Sequence, residues 1–207
     1  MPGLGDVMAR IERVPEPGRL ILASASPRRA ELLREHGYRF EVIVPPAPEP
    51  ADFAADMSPV QQAEYLSRFK AEAVAEVAGS GLIVAADTLA ALDNRVFGKP
   101  ADRAHAKRIL SSIAGTAHKV ITGLTLLDAG TRRWLTRHDV TGVHMRTLSD
   151  SEIESYLDTG AWEGKAGAYG IQDYGDQFVT RIEGSFTNVV GLPMELLSQM
   201  LDDWRAY

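Results

Sequence analysis

The sequence predicts an α/β domain, and three stretches carry that prediction. The first is Leu20–Leu33. It is apolar from Leu20 to Ala23, at strand length, then passes through Ser24, Ser26 and Pro27 into helical spacing at Ala30, Leu32 and Leu33, with Gly37 as a stop. The second is the continuous apolar run Leu82–Ala86, the mark of a strand covered on both faces. The third is the pair Lys119–Asp128 and Arg133–Met145, which reads as two long strands joined at Ala129-Gly130.

The remaining elements follow in order. Ser26 reads as an N-cap with Pro27 at the first helical position, where a missing N–H costs nothing. Phe40–Val44 is a strand pattern, and Pro45, Pro46, Pro48 and Pro50 make a stiff loop after it. Ser58, Pro59 and Gln61 form a capping box that opens a helix to about Ala78, with Ala63, Leu66, Ala73 and Val77 as its apolar stripe. Asp93-Asn94 marks a hairpin between Leu89–Leu92 and Arg95–Phe97. Asp102 caps a helix with Ala106, Ile109, Leu110 and Ile113 inward, ended by Gly115. Ser149 and Glu152 box the start of a helix carrying Ile153, Tyr156 and Leu157. A glycine-rich stretch, residues 162–175, is followed by a strand at Phe178–Glu183 and a final amphipathic helix from Pro193.

Composition narrows the function. The chain has 207 residues, 45% of them hydrophobic and 24% charged, and a net charge of −6. That length buries a real core, and the acidic balance gives no field to draw nucleic acid or an anionic membrane. Cysteine is absent, which excludes disulfides and thiolate chemistry and fits a reducing, cytoplasmic setting. The five histidines have no metal-ligand spacing. No apolar run reaches the ~20 residues of a membrane span. Residues 1–19, rich in Pro and Gly without a hydrophobic core, read as a flexible extension ahead of one domain over 20–207.

Several positions stand out chemically. Arg28 and Arg29 sit in the first turn of a helix, where the dipole prefers acidic residues. With Ser24 and the free N–H groups of that turn they suit a phosphate; the bland alternative is a solvated surface helix. Lys70 falls on the inward stripe of its helix, either snorkelling or pointing into a polar cleft. Asp87, followed by Thr88, stands at the end of an apolar run, where open α/β sheets place ligands; a turn or cap aspartate is the alternative. Lys99 in Gly98-Lys99-Pro100 is not part of a P-loop and by itself reads as a turn lysine. The glycine-rich stretch holds Trp162, Lys165, Tyr169, Gln172 and Tyr174, and reads as a ligand loop or as a long connector.

These segments together resemble one family. Leu20–Leu33 is similar to the N-terminal signature of the Maf (septum-formation inhibitor) family. The Lys70-Ala context, Asp87-Thr88, Gly98-Lys99-Pro100, Gly115-x-x-His118-x-Val-x-Thr-Gly123, Lys165–Gln172, Ile182-Glu-Gly184 and Asn188–Pro193 match it in order, over about residues 20–200. The resemblance implies a mixed twisted sheet flanked by helices, with two lobes around a central cleft, related to the inosine triphosphatase type. It implies hydrolysis of a nucleoside triphosphate to monophosphate and pyrophosphate with a divalent cation, Mg or Mn, in nucleotide-pool housecleaning and in division arrest. The Tyr-Gly-Ile-Gln form of the loop resembles the dTTP and UTP branch; the 7-methyl-GTP branch carries a glutamate near that position. Three departures stand out: residues 1–19, Leu89-Ala90 after Asp-Thr, and Phe186 in place of a common tyrosine.

The roles expected are then these. Ser24, Arg28 and Arg29 hold phosphate oxygens, and Lys70 and Lys99 reach in from the opposite wall. Asp87 activates water or holds the metal, with Glu31 as a second metal ligand. Thr88 and Gln172 read the base, since an amide can pair with an imide edge, and Lys165 is a further substrate-binding residue. The expected partner is the triphosphate, with neither nucleic acid nor membrane, and a homodimer is left open. Two rival readings are a non-catalytic nucleotide-sensing regulator and a nucleotidyltransferase.

Overall fold

The computed structural model describes residues 19–50, 56–172 and 176–206; the expected extension over residues 1–19, apart from Arg19, and Tyr174 lie outside the described residues, and Arg19 is bonded to Ala78 O and Ser80 O. The strands are β1 (Leu20–Leu22), β2 (Glu41–Val42), β3 (Leu82–Leu92), β4 (Arg95–Phe97), β5 (Ala117–Asp128), β6 (Trp134–Met145) and β7 (Val179–Glu183). The helices are α1 (Pro27–Glu35), α2 (Pro59–Ala78), α3 (Arg103–Ile113), α4 (Asp150–Asp158), α5 (Phe186–Val190) and α6 (Met194–Arg205). The strands form a single seven-stranded sheet in the order β2-β1-β3-β5-β6-β7, with β4 paired to β3. It is mixed: β1 runs parallel to β2 and β3, and the other pairs are antiparallel.

Strand β3 explains the layering. Successive side chains of a strand face opposite sides. Leu82, Val84 and Ala86 join Leu20 and Leu22 in a cluster with α1 and α6. Ile83 and Ala85 join Ile21 and Ala23 in another with α2. Further along the strand, Ala90 belongs to a third cluster with α3, α4 and Tyr169. The core thus has one mass around α1 and α6 and another around α3 and α4, with β3 running through both.

Local signals set most boundaries. The capping boxes of α2 and α4 are present in full, and Asp102 accepts from the His105 N–H at 2.7 Å. Asp93, at φ 53°, turns β3 into β4. Four expectations are corrected. Ser26 holds the N-cap position of α1, but its side chain makes no cap bond. The buried face of α2 continues from Lys70 through Ala71, Val74 and Ala75, while Val77 is exposed, because a 20-residue helix cannot keep one strict stripe against a twisted sheet. The strand expected at Phe40–Val44 shortens to Glu41–Val42. Asp87 lies in the middle of β3, because the hairpin extends that strand to Leu92.

The most consequential contact is at Gly123 of β5. A Cβ there would lie 2.2 Å from the Ala63 carbonyl oxygen of α2. Only glycine lets helix backbone rest on sheet backbone at that distance. Gly123 is paired with Asp87, so this close approach lays α2 directly across the neighbourhood of the carboxylate.

Candidate active site

Pairing along one edge of β3 leaves a window. Strand β1 pairs with β3 as far as Leu22–Val84, then the chain turns away at Ser24 into α1. On the same edge β4 takes over only at Ala90, since β5 occupies the other edge from Leu82 to Ala91. Asp87 and Thr88 lie in that window, one side chain on each face of the sheet. A cavity of about 880 Å³ opens there. Its lining includes Ser24, Arg28, Arg29, Glu49, Lys70, Thr88, Lys99, Lys165, Tyr169 and Gln172.

On the α2 face, Lys70 is only 8% exposed and Asp87 6%. The Lys70 ammonium bonds Asp87 Oδ1 and also reaches Glu49 Oε1 at 2.9 Å. Asp87 Oδ2 is buried without a hydrogen-bond partner. A buried acceptor left so costs free energy unless something else fills it, and it is the sort of orphan that marks a ligand position. Burial disfavours charge on Glu49, but the bond from Lys70 and the fields of Lys70, Lys99 and Arg29 hold its carboxyl below its ordinary value of 4.5. Glu49 was missed in the sequence because it sits in a proline-rich loop with no pattern of its own. The signal that finds it is spatial: a carboxylate sharing one ammonium with Asp87 across 38 positions of chain.

On the α1 face, Arg29 is fully engaged by the protein. Its Nε donates to Gly191 O at 2.8 Å, Nη1 to Ser24 Oγ at 3.3 Å and Nη2 to Thr88 Oγ1 at 3.0 Å. Gly191 sits at φ 124°, in the turn between α5 and α6, which aims its carbonyl at the guanidinium. Burial lowers the Arg29 pKa from the usual guanidinium range, with the Asp87 charge opposing. Thr88 Oγ1 also meets Thr122 Oγ1 at 2.9 Å. Arg29 and Thr88 therefore tie α1, β3 and the α5–α6 turn together as well as line the cavity. Lys99 is exposed and also lines the cavity.

The glycine-rich segment forms the far wall. Lys165 and Gln172 line the cavity, and the Lys165 ammonium bonds Ala161 O. Between them, a short 3-10 turn at Ala166–Ala168 leads to Tyr169, whose hydroxyl meets His118 Nε2 at 2.8 Å. Glu31 is exposed on α1 and is not among the residues lining the cavity. Phe186 is likewise exposed and outside it.

Among the described residues no group of three or more His, Cys, Asp or Glu comes together around one point. Magnesium is commonly held by one or two carboxylates, its shell completed by water and substrate phosphates. Asp87, with its orphan Oδ2, and Glu49 are a donor set of that kind. Among the described residues no helix is long and apolar enough to cross a membrane.

Fold and cavity define an α/β protein whose deep cleft is walled by cations around a buried acid. The chain belongs to the Maf-like protein family, which matches residues 19–204. It is 47% identical over 186 residues to a dTTP/UTP pyrophosphatase of Vibrio cholerae serotype O1, covering 88% of this chain and 96% of that one. It is 44% identical over 186 residues to a protein of the same name from Carboxydothermus hydrogenoformans, covering 90% and 98%. Among solved structures, a HAM1 protein from Coxiella burnetii aligns with a TM-score of 0.48 at 14% identity, over 89% of this chain and 98% of that one.

Proposed function

We propose that the protein hydrolyses pyrimidine nucleoside triphosphates, dTTP and UTP, to the monophosphate and pyrophosphate. The observation that carries the reading is the cluster of Arg28, Lys70 and Lys99 on one cavity with Asp87 buried beneath it. The names of the relatives at 44–47% identity support the substrate class.

Transfer of a phosphoryl group to water needs neutralised charge, an oriented nucleophile and in-line geometry. Ser24, Arg28 and the free N–H groups of the α1 N-terminus hold phosphate oxygens. Lys70 and Lys99 meet the chain of phosphates from the other side. Asp87, through Oδ2, orients a water and accepts its proton as the water oxygen bonds to the α-phosphorus. The bond from that phosphorus to the bridging oxygen breaks, and pyrophosphate leaves. Asp87 and Glu49, rather than the exposed Glu31, would hold a divalent cation, Mg or Mn, which would supply further neutralisation of phosphate charge. Lys165 and Gln172 meet the nucleoside end. Arg29 and Thr88 act mainly by holding the walls in place. The domain is taken to run over residues 20–207 and to work in the cytoplasm.

Pyrophosphate release with Mg²⁺ across a panel of triphosphates tests the activity, with dTTP and UTP expected to lead. In ¹⁸O-labelled water the label is expected in the monophosphate. Label in pyrophosphate would move the attack to the β-phosphorus. Turnover only with a second organic acceptor would favour a nucleotidyltransferase, and tight binding without turnover would favour a sensor.

A further inference from the structure

We infer that His118 is a positioning residue for the nucleoside end of the cleft: through the Tyr169 hydroxyl it fixes the loop that carries Lys165 and Gln172. The inference deepens the hydrolase reading and rests on it for the identity of the ligand.

His118 lies on β5, is 1% exposed and does not line the cavity. Tyr169 is 6% exposed and does line it. The two side chains meet at 2.8 Å from Nε2 to the hydroxyl, with ring centroids 5.5 Å apart and planes at 90°. The His118 Nδ1 is buried and has no hydrogen-bond partner, so the imidazole spends its one side-chain bond on Tyr169.

The loop also packs through Ala168 and Tyr169 into the cluster around α3 and α4 and through Ile171 into the one around α1 and α6, but apolar packing alone does not fix the direction of a polar side chain. Residues 165–172 belong to no strand, and among the described residues their backbone bonds include 3.4 Å from Lys165 N–H to Trp162 O, 3.1 Å from Ala168 N–H to Lys165 O and 3.3 Å from Gly167 N–H to Gly98 O. Gly167 and Ala168 are both left-handed, at φ 73° and 60°. An alanine there persists only where its surroundings hold it. Those surroundings are close: a Cβ on Gly167 would stand 3.0 Å from Ala90 Cβ and 3.2 Å from Tyr169 Cε1. The Tyr169 ring is therefore the pin against which the bend is folded, and His118 anchors the pin to the sheet. Lys165 precedes the bend and Gln172 follows it, so both placements depend on it. Arg28, Lys70 and Asp87 stand on α1, α2 and β3, outside this chain of contacts.

The test is calorimetric binding of α,β-imido-dTTP and of inorganic tripolyphosphate, each with Mg²⁺, to the wild type and to Tyr169→Phe, His118→Phe and His118→Gln. Loss of one buried bond predicts ~10-fold weaker nucleotide binding in Tyr169→Phe and His118→Phe, with tripolyphosphate changed by less than ~2-fold. His118→Gln, whose side-chain amide can still meet the hydroxyl, is expected to retain nucleotide affinity within ~3-fold. Equal weakening of both ligands in Tyr169→Phe, or unchanged nucleotide binding, overturns the inference. Tyr169→Phe removes one atom and decides the matter even where His118→Phe does not fold. Wild-type turnover of dTTP, measured alongside, separates the two claims. No turnover with the selective binding loss intact would sink hydrolysis and leave the positioning role, and a wild type that binds neither ligand overturns both.

Discussion

The two walls of the cleft are built differently. The phosphate side rests on regular elements: the turn from β1 into α1, the middle of β3, and a helix pressed onto the sheet at Gly123. The side proposed for the nucleoside is a segment of glycine turns that packs Ala168, Tyr169 and Ile171 into the core and is tied to the sheet by a His–Tyr bond. Charge neutralisation needs cations held to within a fraction of an ångström, which packed helices and strands supply. Recognition of a base tolerates, and is tuned through, a loop set on that scaffold. Chemistry is therefore assigned to the first wall and selection to the second, and each assignment can be broken separately.

The largest expected effect is on the phosphate wall. Replacing Asp87 by Asn should lower turnover of dTTP by ~10²–10⁴-fold, the usual worth of a positioned acid–base group, while nucleotide binding persists. Near-native rates in a pyrophosphate-release assay would remove the water-activating role. The backing of the same wall is tested by Gly123→Ala. A methyl group 2.2 Å from the Ala63 carbonyl must push α2 off the sheet, at a cost of ~3 kcal/mol or more in denaturant unfolding. Gly130→Ala, in an exposed turn, should cost less than ~0.5 kcal/mol and serves as the control.

The nucleoside wall gives a pH signature. Burial, with the nearby His144, holds the His118 pKa at about 4, below its ordinary 6.5. Between those values the unfolded chain takes up a proton that the native one refuses, so stability falls as pH drops through the window. The full effect is about 3 kcal/mol at 1.36 kcal/mol per pH unit. A plot of melting temperature against pH should slope downward from pH 6.5 to pH 4 and should flatten there in His118→Gln. An unchanged slope would show that other groups dominate. The smallest effect expected is in Gln172→Glu. A carboxylate that cannot donate should shift the relative rates on UTP, dTTP and guanosine triphosphates by roughly 10-fold or less, a change worth one hydrogen bond. Relative rates identical to the wild type would remove Gln172 from base reading.

Much of this organisation is local, and so legible in the chain. The capping boxes at Ser58 and Ser149, the Asp102 cap and the Asp93 turn depend on neighbours three residues away, and all stand where expected. Lys70 on an inward stripe left snorkelling and a polar cleft both open, and the fold takes the second. Glu49 and Glu31 show the opposite case. Both are acids near a motif, but one reaches Lys70 across a folded loop while the other faces solvent on the outside of α1. Helical spacing can say that two residues share a side; it cannot say which loop will fold over them. The strand containing Asp87 likewise ran on past the residue, because a hairpin partner and not the sequence of the strand itself decides where pairing ends.

By itself the sequence determined the five longer helices and the caps at Ser58, Asp102 and Ser149, the central apolar strand, and the set of charged residues awaiting an anion. These follow from backbone hydrogen bonding and side-chain periodicity within a few positions. The tertiary structure alone decided that Asp87 shares Lys70 with Glu49, that Arg29 is tied to the walls, and that His118 holds Tyr169. Those pairings join residues 17 to 162 positions apart. They exist only because the sheet brings distant segments to one edge, where a buried polar atom must find whatever partner the packing has placed beside it.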